Sequence, residues 1–145
     1  MIAHAGLIAR RQGGLWRGVL VMGVSGSGKS DLMLRALHLG FRLVADDRTL
    51  VWASAGRLYG RAPDTLSGLM EARGLGVLSH VPIPMAEIAL LALCGSEPAE
   101  RLPEPALREL EGVRLPVLQL VALEASAAAK LGRALIRLGQ GAGAA

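Results

Sequence analysis

The octet Gly23-Val24-Ser25-Gly26-Ser27-Gly28-Lys29-Ser30 restricts this chain more than any other stretch of it. It satisfies the pattern G-x-x-x-x-G-K-[ST], and each residue type meets a physical need. Glycines at 23, 26 and 28 permit positive φ and let the backbone approach phosphate oxygens closely. Successive amide N–H groups then point into an anion-sized hollow, and the positive end of the following helix faces the same hollow. Lys29 supplies a point charge for the β- and γ-phosphates, and the Ser30 hydroxyl supplies a magnesium ligand. The pattern carries weight only when a strand runs in and a helix runs out. Arg17 to Met22 is an apolar run suited to a buried strand, and Asp31 to Leu39 has helical apolar spacing up to Gly40. The expectation is an α/β chain that binds a nucleoside triphosphate with Mg2+. The competing reading is a Gly/Ser turn with no ligand, which leaves Lys-Ser at the helix start without a reason.

Asp46-Asp47 follows the apolar strand Phe41 to Ala45. Parallel strands deliver their carboxyl ends to the ligand crevice, so one of these carboxylates can reach the magnesium, directly or through water. Two in a row suggest divided labour, one beside the metal and one accepting a proton. Repulsion between them would raise one pKa into a useful range for a general base. An ordinary acidic turn after a strand is the alternative.

A length of 145 residues favours one domain, read as 1–138, with Gly139 to Ala145 as a frayed tail. Aromatics make up only 3% of a chain that is 52% hydrophobic, so Leu, Val, Ile and Ala must fill the core. The net charge is +4, and 14 of the 16 basic residues are arginines spread along the chain. No basic block and no aromatic ladder accompanies them, which argues against a nucleic-acid groove. The mild excess suits phosphorylated ligands or an acidic protein partner equally, and on composition alone a solvated arginine-rich surface is favoured over both. Apolar runs reach about 8–10 residues, short of the ~20 that span a bilayer, and Arg10-Arg11 comes early without a signal-peptide core. A soluble, cytoplasmic protein with no membrane contact is expected. Cys94, within Leu90-Leu91-Ala92-Leu93-Cys94, reads as a small buried hydrophobe.

Further elements follow from periodicity and turn residues. A short strand lies in residues 1–11, with a turn at Arg11 to Gly14. Thr49 to Ala53 and Arg57 to Tyr59 form a hairpin about Gly56. Asp64 to Met70 reads as a helical stretch with Asp64 as its N-cap, and Glu71 to Leu78 as a loop running into a strand. Met85 to Leu93 is a buried strand, with a short helix as its competitor. Residues 97–105 are a proline-rich loop, Val117 to Leu120 a late strand, and Ala125 to Leu138 a helix.

Three ordered motifs resemble a known family. They are the glycine octet, Leu43-Val44-Ala45-Asp46-Asp47-Arg48, and Glu71-Ala72-Arg73-Gly74-Leu75-Gly76-Val77. Together they are similar to the catalytic domain of bacterial HPr kinase/phosphorylase, which phosphorylates a serine of the sugar-phosphotransferase carrier HPr. The third motif is the discriminating one. The resemblance implies a P-loop domain of the kind shared with phosphoenolpyruvate carboxykinase, a mixed sheet with flanking helices. It implies that Lys29 binds the transferred phosphate, that Ser30 and Glu71 bind magnesium together with Asp46, and that Asp47 takes the proton from the attacking hydroxyl with Asp46 assisting. His4 matches a family histidine before the first strand, Arg73 lies in the segment that serves both activities, and Arg101 matches an arginine that could stabilise transition-state charge. HPr as substrate and a homo-oligomer, hexameric in the family, are implied as well.

Plainer roles compete for the weaker members. His4 has no acid or metal partner nearby in sequence. Arg73 could form an ion pair with Glu71 or Asp64, and Arg101 sits among prolines as a solvated loop residue would. The octet starts too early for the family's N-terminal domain to precede it, so a short, catalytic-domain form is expected. The late segment tied to dephosphorylation survives only as Leu115-Pro116-Val117-Leu118, so the kinase direction is better supported than the phosphorylase one. Two other classes stay open: a small-molecule P-loop kinase, and a nucleotide sensor without catalysis.

Overall fold

The computed structural model describes residues 1–139. Residues 140–145, most of the expected tail, lie outside the described residues. The elements are β1 (Ile2–Ala3), β2 (Ala5–Gln12), β3 (Leu15–Gly23), α1 (Lys29–Leu37), β4 (Arg42–Ala45), β5 (Thr49–Ser54), β6 (Arg57–Arg61), a 3-10 turn (Asp64–Leu66), β7 (Leu69–Ala72), β8 (Gly76–Ser79), β9 (Ala86–Cys94), β10 (Leu107–Leu110), β11 (Val113–Leu120) and α2 (Ala127–Arg137). The main sheet runs β1-β5-β6-β9-β3-β2-β4, and β11 joins β9 and carries β10. β7 and β8 form a separate hairpin.

The sheet is mixed, as expected. β3 and β9 are parallel, as are β9 and β11, whereas β2 is antiparallel to both β3 and β4. β4 therefore runs in the same direction as β3. The carboxyl ends of β3, β4, β9 and β11 meet at one edge of the sheet, where loops from parallel strands build ligand sites.

Alternation along the strands separates two apolar layers. Ile8, Val19, Val21, Leu90 and Ala92 face α1 and α2, and pack with Leu32, Met33, Leu131 and Leu135. Leu7, Leu20 and Leu91 face the other way, and pack with Val44, Val51, Leu58 and Ile88. Each fully buried leucine contributes about 1.5–3 kcal/mol. A bulge in β9 sets this pattern: Gly18 pairs with Ile88 but Val19 pairs with Leu90, so Ala89 is the extra residue and the face changes there.

The sheet curls until β5 meets β2, where the buried Thr49 hydroxyl donates to the Ala5 carbonyl at 2.8 Å. Three hairpins turn on two residues with positive φ at both: Gly13-Gly14, Ala55-Gly56 and Glu111-Gly112. That conformation matches the twist of the flanking strands.

Several expected elements are corrected. The helix expected over Asp64 to Met70 is one 3-10 turn followed by β7. Gly68 at φ 77 breaks the helical path, and a Cβ there would lie 2.5 Å from the His80 carbonyl oxygen. Asp64 is not the N-cap, because Pro63 holds that place and the Asp64 carboxylate pairs with Arg61 at 3.0 Å. The stretch read as a loop into a strand is the β7–β8 hairpin.

The late strand is twice as long as expected and is preceded by the unforeseen β10. Pro116 lies where β11 hands over from β10 to β9, so its missing N–H interrupts neither ladder badly. The N-terminal strand breaks in two at His4.

Thr49→Val keeps the shape and removes the one hydroxyl that ties β5 to β2. Urea unfolding should show a loss of about 0.5–1.5 kcal/mol with an unchanged slope. Undiminished stability would mean that this bond does not help close the sheet.

Candidate nucleotide site

The glycine loop leaves the end of β3 and turns directly into α1. Gly23 must be glycine because a Cβ would lie 2.7 Å from the Cys94 carbonyl oxygen and 2.8 Å from Ser27 Oγ. Gly26 and Gly28 hold φ of 83° and 91°, which L side chains rarely adopt. Gly28 is the residue before α1, and no side chain caps that helix end, so its free N–H groups point into the loop. Val24, Ser25 and Gly26 are exposed at the tip. Lys29 Nζ donates to the carbonyls of Gly23 at 2.5 Å and Val24 at 3.1 Å, which keeps the ammonium at the loop mouth.

Asp46 joins this loop to the β7–β8 hairpin. Ser30 Oγ donates to its Oδ1 at 3.0 Å, and the Glu71 backbone N–H donates to its Oδ2 at 3.2 Å. Burial pushes the Asp46 carboxyl above its ordinary value of 3.8, against the pull of these two donors. The charges of Asp47 and Glu71 add to the rise but count for less than burial. The repulsion expected within the acid pair is thus a minor cause.

Asp47 is the turn residue itself, at φ 69, with the Arg48 N–H donating to the Asp46 carbonyl at 2.8 Å. Asp47 is exposed at the sheet edge. A non-glycine residue in this conformation is uncommon and marks a locally strained turn.

The remaining expected residues fall into two groups. His4 lies between Ala3, which pairs with Thr49, and Ala5, which pairs with Met22, so it sits at the same edge as the loop. Glu71 and Arg73 lie on the β7–β8 hairpin, both exposed. Arg73 takes neither of the ion pairs considered for it, and Asp64 is engaged by Arg61 instead. Arg101 stands exposed in the loop after β9, which starts beside the glycine loop. Among the described residues, no hydrogen bond or ion pair draws Arg101 inward.

Two contributors were not foreseen. Arg35 reaches from α1 to the carbonyls of Ala122 and Glu124, and Leu123 packs on Gly28. Only the Asp31–Arg35 spacing of four, a common helical ion pair at 3.0 Å here, hinted at the first. Cys94 is buried as expected, and burial pushes its thiol up to about 11, so it is no nucleophile at neutral pH.

The donor set fits magnesium. Ser30, Asp46 and Glu71 offer only hard oxygens, and among the described residues no group of three or more His, Cys, Asp or Glu is placed to enclose a metal alone. Magnesium is commonly held by one or two carboxylates together with phosphate oxygens and water.

Residues 14–83 match the family described as HPr Serine kinase C-terminal domain. The HPr kinase/phosphorylase of Clostridium tetani is 44% identical over 61 residues, 42% of this chain and 20% of that protein. That of Xanthomonas campestris is 49% identical over 63 residues, 43% of this chain and 20% of that protein. The chain thus spans about a fifth of the length of these curated relatives. The Hpr(Ser) kinase/phosphatase structure from Coxiella burnetii superimposes with a TM-score of 0.76 at 22% identity, covering 94% of this chain and 88% of that one. The likeness of fold thus reaches well beyond the stretch matched in sequence.

The folded chain binds a proton at Asp46 more readily than the unfolded chain does. The stability this provides is present below pH 3.8 and is lost as pH rises through the higher folded value. Asp46→Ala should therefore gain melting temperature relative to the wild type as pH rises from about 3.5 towards neutrality. A difference between the two proteins that is independent of pH would contradict the burial of this carboxyl.

Residues 14–83 are thus similar in sequence to the HPr Serine kinase C-terminal domain, and the fold of the chain is that of the Coxiella burnetii structure.

Proposed function

We propose that this chain is a kinase that uses ATP and Mg2+ to phosphorylate a serine hydroxyl of HPr. One observation carries the reading: Asp46 links the Ser30 hydroxyl of the glycine loop to the β7–β8 hairpin. Phosphoryl transfer asks for a phosphate cradle, a metal seat and a base, because its catalysis is mostly positioning and charge stabilisation. The loop amides and Lys29 form the cradle. Ser30, Asp46 and Glu71 would hold magnesium, which offsets charge on the phosphates when bound.

Asp47 then has a separate task. Asp47 is exposed, one residue beyond the Asp46 that contacts the loop, where an incoming hydroxyl would reach it. The serine oxygen forms the new bond to the γ-phosphorus, the bond to the ADP oxygen breaks, and the serine proton passes to Asp47. Arg73, on the hairpin, and His4, at the same edge, would meet the acceptor or the transferred phosphate. Arg101 would have to move inward with its loop to take part. The reading includes a homo-oligomer and a cytoplasmic setting shared with HPr. No helix among the described residues is long and apolar enough to cross a membrane.

Labelled ATP, magnesium and HPr should yield phosphoserine on HPr. Asp47→Asn keeps a residue type that tolerates φ 69, so the fold should survive while transfer falls by about 10²–10⁴ and ATP affinity stays. A folded, ATP-binding chain that leaves HPr unlabelled would end the proposal, and full turnover by Asp47→Asn would remove the base from it.

A further inference from the structure

Leu123 is 68% exposed, in a segment whose backbone is anchored on both sides of it. It belongs to the segment 121–126 between β11 and α2. Arg35 anchors that segment to α1, donating to the carbonyl of Glu124 at 3.0 Å and to that of Ala122, while its Nε pairs with Asp31 at 3.0 Å. Lys130 pairs with Glu124 at 3.4 Å, and Ala122 is wholly buried. The Leu123 side chain lies against the glycine loop, since a Cβ on Gly28 would come 2.8 Å from its Cδ2. The anchored backbone thus presents an apolar side chain in the open beside the phosphate loop before any ligand arrives.

The loop has two distinct flanks. Ser30 looks towards Asp46, at the end of β4. Gly28 touches Leu123, just beyond β11. In the sheet, β4 lies on one side of β3, past β2, and β11 lies on the other, past β9. A metal at Ser30 and Asp46 serves the terminal phosphates, which places the γ end of the nucleotide on the β4 flank. The α-phosphate and nucleoside must then extend to the opposite flank. Asp31 would repel phosphate there, but Arg35 pairs with it.

We infer that the segment 121–126 seats the nucleoside half of the nucleotide, with Leu123 packing against the face of the base. This rests on the nucleotide reading above and adds the direction in which the ligand lies. A fixed aliphatic surface suits a flat apolar ring through area removed from water, and the anchored backbone keeps that surface in place.

Calorimetry with two magnesium-loaded ligands tests this: ATP, and inorganic tripolyphosphate, which has the same phosphate chain and no nucleoside. Leu123→Ser should weaken ATP binding about tenfold and leave tripolyphosphate unchanged, while Leu123→Met should keep both. The site is exposed, so the melting temperature should barely move. Equal weakening of both ligands would mean that Leu123 acts on the shape of the loop through Gly28, and would overturn the inference. So would unchanged ATP affinity in Leu123→Ser, or a wild type that binds ATP no better than tripolyphosphate; each leaves the phosphate loop standing. A wild type that binds neither ligand would overturn the nucleotide reading and this inference together.

Discussion

The parallel pairing of β3 with β9 is the constraint on which everything else rests. It joins residues 17–23 to residues 87–94 and ends with Gly23 against Cys94. Because the two strands run together, both release their loops at one edge, and β4 and β11 add theirs to it. The closeness of this pairing explains why position 23 is glycine, and why Cys94 is shut away from solvent with its thiol pushed up to about 11. A parallel ladder has no tight hairpin to set its register. Here the register is carried by apolar layers on both faces and by the bulge at Ala89 that keeps them in phase.

At that edge the decisive contact is the divided carboxylate of Asp46. One oxygen takes the Ser30 hydroxyl and the other takes the backbone N–H of Glu71. The phosphate loop and the β7–β8 hairpin are thereby held by one side chain whose burial opposes its ionisation. A cation placed there would favour the ionised form, and its binding would then be coupled to the position of the hairpin. Asp47, one residue later, is left out of this linkage by its left-handed turn and faces solvent. Neighbours in sequence thus occupy different electrical surroundings.

What could be read from the chain beforehand was local. The glycine octet, the strand before it, the helix after it and the acid pair are contiguous runs whose geometry follows from their own residue types. The unforeseen parts depend on partners far away in sequence. Arg35 finds carbonyls at 122 and 124, and Gly68 is forced by the carbonyl of His80. β10 escaped notice because its turn is Glu111-Gly112, a weaker hairpin signal than Asn-Gly or Asp-Gly. The scattered arginines looked like surface charge, but several are structural. Arg10 lies over Phe41 and donates to the Gly132 carbonyl, and Arg11 and Arg42 flank Trp16. Trp16 is thus engaged by cations of its own chain.

The most direct measurement is the affinity of the unmodified chain for ATP with magnesium and again with the ion chelated. Ser30 and Asp46 stand together at the flank of the loop, and a cation between them and the phosphates would relieve the repulsion between carboxylate and triphosphate. ATP should therefore bind at least about tenfold more tightly with magnesium, equivalent to about 1.4 kcal/mol. Equal affinity with and without the ion would contradict a metal seat at Ser30 and Asp46.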